Sequence, residues 1–113
     1  MNSLEVPYTA FNAKKSFIEN NKDTIINFRK AINKGLEFTK NNTSDEIARL
    51  ILRQFPDTSL LDLSTVVERY KTSDSWLDNT FISEELFKNL EDMIIDGGFI
   101  SSYVPYNDLI VND

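Results

Sequence analysis

Apolar residues recur every three to four positions through most of this 113-residue chain, and that spacing predicts helices. Residues Leu4 to Phe11, LEVPYTAF, are the exception: Val6, Tyr8 and Phe11 are strand formers, and Pro7 excludes a central strand position that needs its N–H. Phe17 and Ile18 then mark a short amphipathic turn. A long helix is predicted over Asp23 to Asn41, with Asn21 as its N-cap and Ile25, Phe28, Ile32, Gly35/Leu36 and Thr39 as its buried stripe. The run NNTSDEIARLILRQF opens on a capping box, Thr43 with Glu46, places Ile47, Leu50, Ile51 and Phe55 on one face, and closes at Pro56. A third helix follows Ser59, with Asp62 in its first turn and Leu60, Leu63, Val66/Val67 and Tyr70 at helical spacing.

The polar connection KTSDSWLDNT interrupts the pattern, and ISEELFKNLEDMIIDGG resumes it with Leu86, Leu90 and Met93/Ile94 on one stripe. Gly97 and Gly98 supply a left-handed C-terminal stop. The tail FISSYVPYNDLIVND fits either a turn with a short helix or an extended arm. Gly35 lies inside the long helix and marks either close packing or a weak spot, since an interior glycine costs up to about 1 kcal/mol relative to alanine. No repeat or flexible linker divides the chain, so residues 1–113 are expected to form a single helical unit, mainly α, of about four helices and one orphan strand. A lone strand leaves its backbone N–H and C=O groups without partners, so its sheet must come from elsewhere.

Composition changes the picture chiefly by exclusion. The formal charge of −6, from 18 acidic and 12 basic residues, repels phosphate backbones and anionic membranes, so nucleic acid is not an expected partner. The absence of Cys removes thiolate chemistry, and the absence of His removes the commonest general base and zinc ligand. Any enzyme built from this chain would depend on carboxylates, Lys or Tyr. The paired acids Glu84/Glu85 fall in the first turn of a helix, where the dipole favours them, and Glu91/Asp92 read as its polar side. Neither pair predicts the apolar pocket that would raise a carboxyl pKa for catalysis. No catalytic residue, metal site or cofactor is therefore expected. No apolar run approaches the roughly 18 residues needed to span a bilayer, and MNSLEVPY has neither the basic start nor the apolar stretch of an export signal.

The ordered patterns VPYTAF, NNKDTI, NKGLEFTKNN, ARLILRQFPDTS, VVERYKTSDSW, ISEELFKNLEDMIIDGGFI and VPYNDLI resemble the carboxy-terminal third of ABC-transporter substrate-binding proteins of the SsuA/THI5-like family. The resemblance implies a C-terminal segment of a two-lobed α/β periplasmic-binding-protein-like fold, with residues 4–11 as a crossover strand whose sheet lies upstream. It implies a non-enzymatic protein that closes on a small solute of thiamine-pyrimidine, sulfonate or nitrate type. The partner would be an ABC permease, and the full-length protein would be extracytoplasmic, periplasmic or a membrane-anchored lipoprotein. Binders of this kind use aromatic stacking and a few polar side chains, which makes Tyr8, Tyr70, Asp74 and Trp76 the candidate ligand-binding residues. Each has a plainer reading: Tyr70 extends an apolar stripe, Trp76 covers a core edge, and Asp74 caps a turn. An isolated segment is expected to bind no solute tightly and to form a homo-oligomer through its strand or exposed helix faces. The alternative is a free-standing helical interaction module that uses residues 4–11 for strand addition.

Overall fold

Residues 5–112 are described by a computed structural model of the chain, and six α-helices lie among them: α1 (Lys15–Asn20), α2 (Lys22–Asn41), α3 (Ser44–Ile51), α4 (Leu60–Thr72), α5 (Glu84–Asp96) and α6 (Tyr106–Leu109). The fold is mainly α, and the four long helices stand where the periodicity places them. Their ends follow local chemistry. Thr43 forms the full capping box, its Oγ1 accepting from Glu46 N–H at 3.2 Å while its own N–H donates to Glu46 Oε2 at 2.8 Å. Ser59 and Ser83 cap α4 and α5 with the side-chain bond alone, accepting from Asp62 N–H and Leu86 N–H at 3.1 Å each. A 3-10 turn, Leu52–Gln54, carries α3 toward Pro56. The tail takes the turn-and-short-helix form, as α6.

Helix α5 ends in a Schellman motif: Phe99 N–H donates to Ile94 O at 3.0 Å and Gly98 N–H to Ile95 O at 2.9 Å, with Gly98 left-handed at φ 76°. Gly97 keeps a helical φ of −74°, so of the two glycines only Gly98 needs its conformational freedom. Gly35 has open space where a Cβ would stand, so close packing does not explain it.

The packing divides the chain into two units where the sequence pattern suggests one: Asp23–Thr80, and Met1–Lys22 with Phe81–Asp113. In the first, α3 packs on α4 through Ile47, Ala48, Leu63 and Val67, flanked by half-buried Ile51, Leu52 and Leu60. The buried Ser44 hydroxyl adds a polar link to Glu68 Oε2 across the same helix pair. This corrects the apolar stripe of α3. Leu50 is 65% exposed and Ala48 is fully buried, because the contact runs along 44, 47, 48 and 51, and a methyl group there lets α4 approach closely. On α4, Leu63 and Val67 are buried four residues apart, while Val66 and Tyr70 are left about half exposed. No α2 side chain is buried, so its expected stripe is at best half-covered.

In the second unit, Phe87 and Glu91 are the buried positions of α5, one helical turn apart, with Leu86, Leu90 and Ile94 half-buried and Met93 exposed. Tyr106 sets its ring edge-on to Phe87 at 5.9 Å and donates its hydroxyl hydrogen to Ile82 O. The Asn112 side chain brackets the same residue, accepting from Ile82 N–H at 3.1 Å and donating to Ile82 O at 2.9 Å.

The expected strand is absent. Residues 5–14 carry neither helix nor strand, and Leu4 lies outside the described residues. A strand exists only as part of a ladder, and among the described residues none offers one; Glu5 O instead accepts from the Asn89 side chain at 3.1 Å. Among the described residues no helix is long and apolar enough to cross a membrane.

Candidate functional site

Three of the four candidate residues lie together at the C-terminal end of α4. The helix stops in a second Schellman arrangement, in which Ser75 N–H donates to Tyr70 O at 3.0 Å and Asp74 N–H to Lys71 O at 3.4 Å. Asp74 holds the left-handed position at φ 52°, where glycine is usual and Asp is among the better-tolerated alternatives. The turn-capping reading of Asp74 therefore has a concrete form. Its neighbours stiffen the corner: Ser73 Oγ donates to Arg69 O at 2.8 Å and lies 2.7 Å from Ser75 Oγ.

The chain reversal at Asp74 brings the Trp76 ring back onto Tyr70, with centroids 5.5 Å apart and planes inclined by 40°. Tyr70 is 49% exposed and Trp76 38%, so Tyr70 is not the core residue that the apolar stripe suggests. The segment beyond is tied to α2. Lys40 Nζ meets Asp78 Oδ1 at 3.0 Å, and Thr80 N–H donates to Asn33 Oδ1 at 2.9 Å. Lys71 Nζ donates to the O of Asn42, the residue after α2. A pair of part-exposed aromatic faces is thus held on an anchored corner, a form suited to stacking against a planar group. Tyr8 belongs to the other unit and is 95% exposed.

That other unit carries an acidic groove of about 370 Å³ on α5, lined by Glu84, Glu85, Phe87, Lys88, Glu91 and Tyr106. Glu91 is 6% exposed, which corrects the polar-side reading of the Glu91/Asp92 pair. It is buried because the tail turns back across it, and Val104 N–H donates to its Oε2 at 2.6 Å. Asp92 takes Tyr103 OH at 2.5 Å and Lys88 Nζ at 2.9 Å, while Lys88 also stands 5.5 Å from the Tyr103 ring centroid. The Tyr103 hydroxyl, and secondly Lys88, hold the Asp92 carboxyl below its ordinary range. Asp92 in turn raises the Lys88 ammonium and the Tyr103 phenol above theirs. Among the described residues no three acidic side chains gather as a metal site. Periodicity missed Phe87, Glu91 and Asn112, whose roles depend on the returning tail; the only sequence signal for that return is Gly97-Gly98 followed by Pro105.

No protein-family model matches the chain, and no solved structure matches it. The chain is similar to the protein named "Putative binding protein YtlA" of Bacillus subtilis (strain 168), with 34% identity over 108 residues. The match takes in 96% of this chain but 32% of that protein. The chain thus spans about a third of the length of the curated relative it matches.

Proposed function

We propose that the chain is a segment of a solute-binding protein serving an ABC uptake system, of the SsuA/THI5-like kind, and that it is not an enzyme. The observation that carries this reading is the 34% identity, sustained across nearly the whole chain, to a named binding protein about three times as long. The anchored corner of Tyr70 and Trp76 supports it, because part-exposed aromatic faces on a fixed turn are suited to a ligand wall. In this reading Trp76 and Tyr70 stack on the solute, and Asp74 sets their geometry or accepts a hydrogen bond. The solute is a small pyrimidine, sulfonate or oxyanion, and the full-length protein works outside the cytoplasm with a permease partner.

A chimera tests the proposal: the matching third of the Bacillus subtilis protein is replaced by this chain, and native mass spectrometry reads what is retained after purification. A single bound small molecule, weakened at least tenfold by Trp76→Ala, is the expected result; a loss of that size corresponds to about 1.4 kcal/mol. A folded chimera without solute, or with binding indifferent to Trp76 and Tyr70, would refute the assignment.

A second reading rests on the extended segment. Among the described residues no hydrogen bond engages the backbone of Val6, Tyr8 or Thr9, and Tyr8 and Phe11 are 95% and 71% exposed. Such an edge suits strand addition to a partner or to a second copy. Sedimentation of the 113-residue chain is expected to show a homo-oligomer that Tyr8→Lys weakens and Lys40→Ala does not; a monomer at high concentration excludes self-association.

A further inference from the structure

Beyond the Phe99 N–H to Ile94 O bond that closes α5, the contacts holding the tail fall into two chemically different sets. Two adjacent carboxylates on the helix receive two adjacent residues of the tail: Glu91 Oε2 takes Val104 N–H at 2.6 Å, and Asp92 Oδ1 takes Tyr103 OH at 2.5 Å. Further along, the tail is held by Tyr106 OH on Ile82 O, by the Asn112 amide on both backbone groups of Ile82, and by the Phe87–Tyr106 ring contact. No carboxylate takes part in that second set. The stretch between α5 and Pro105, Phe99 to Val104, starts immediately after the left-handed Gly98 at φ 76°. It thus has a permissive pivot at one end and a proline with fixed φ at the other.

We propose that residues Ile100–Val104 form an acid-released strap, which leaves α5 when the Asp92 carboxylate is neutralised while the Tyr106–Asn112 anchor stays in place. Hydrogen bonds to ionised carboxylates are roughly twice as strong as those to neutral acceptors, so protonation of Asp92 weakens the Tyr103 contact at the front and spares the rear ones. The groups facing Asp92 are Lys88, Tyr103 and, at longer range through Tyr103, Asp96; those sharing the groove with Glu91 are Glu84, Glu85 and Lys88. Asp92 is held below its ordinary range by the Tyr103 hydroxyl and then Lys88. Its contribution is therefore complete above the ordinary carboxylate range, about pH 4, and is lost as pH falls through the depressed value. Release would free the buried Glu91 carboxyl toward the groove it lines and swing out Tyr103, with Phe99, already 84% exposed, at the pivot.

Nitrogen-15 relaxation on the 113-residue chain, from pH 7 down to the pH at which the Asp92 carboxyl is fully protonated, tests this. Amides of Ile100 to Val104 are expected to fall from order parameters of about 0.85 to below about 0.6, while Phe87 to Met93 and Tyr106 to Asn112 stay rigid. Asp92→Ala combined with Glu91→Leu should give the loosened strap already at pH 7, with no further response to acid. Asp92→Ala alone, at a surface position, should loosen it partly and keeps the test valid if the double variant fails to fold. Loss of order in the strap, α5 and anchor together would overturn the proposal, as would a strap that remains ordered after the carbon-13 signal of the Asp92 carboxyl shows it fully protonated.

Discussion

Ile47 and Leu50 lie on the same helix three residues apart, and a purely periodic reading gives them equal standing in the core. The packing does not: Ile47 is 5% exposed against Leu63 and Val67, whereas Leu50 is 65% exposed. Truncating each to alanine separates the two views. Ile47→Ala removes buried carbons from a small helix pair and is expected to cost about 2–5 kcal/mol, the usual range for large-to-small core changes. A fully buried Leu side chain is worth about 1.5–3 kcal/mol. With about a third of Leu50 covered, Leu50→Ala should cost about 0.5–1 kcal/mol, and alanine's better helix propensity returns a few tenths. Trp76 is the sole tryptophan and belongs to the same unit, Asp23–Thr80, so its fluorescence in a urea titration reads that unit directly. With a denaturant slope of about 1 kcal/mol/M, the midpoint should fall by about 2 M or more for Ile47→Ala and by less than about 1 M for Leu50→Ala. A variant with no cooperative transition counts as the large loss. Equal losses, or a larger one at Leu50, would refute the assignment of the α3–α4 seam.

Other outcomes follow from single contacts. Thr43→Ala removes the Oγ1 that accepts from Glu46 N–H while keeping the backbone N–H that donates to Glu46 Oε2, and should lower stability by about 1 kcal/mol in the same titration, with Thr43→Ser close to the parent. The two left-handed positions should respond in opposite directions: Gly98→Ala should cost about 1–2 kcal/mol in a thermal melt followed by circular dichroism, while Asp74→Gly should leave the melt unchanged or slightly raised. If Asp74 also contacts a ligand, Asp74→Gly will lose binding without losing stability. A carbon-13 titration of the Asp92 carboxyl should show a midpoint below the usual range, and Tyr103→Phe should move it upward, because the phenol hydroxyl is the leading cause of the depression. An unchanged midpoint in Tyr103→Phe would show that the hydroxyl is not responsible.

Much of this protein was decided within a few residues of each position. Helix positions, the Thr43 and Ser59 caps and the stop at Gly97-Gly98 depend on spacing, on side chains three residues from the groups they satisfy, and on one residue that accepts positive φ. These are local interactions, so the sequence alone determined them. Which face of a helix is buried is not local. Ala48 rather than Leu50 lies in the seam because α4 approaches along that line, and Glu91 is buried because a tail 13 residues later supplies its hydrogen bond. The Tyr70–Trp76 contact likewise depends on the reversal at Asp74, and the Ile82–Asn112 pairing closes across 30 residues. The extended segment shows the limit most directly. Val6 and Tyr8 carry strand propensity, but a strand needs a neighbour to accept its hydrogen bonds, and propensity cannot provide one. Pairing, burial and the division into two units were decided only by the tertiary structure, because each depends on chain segments that meet after folding.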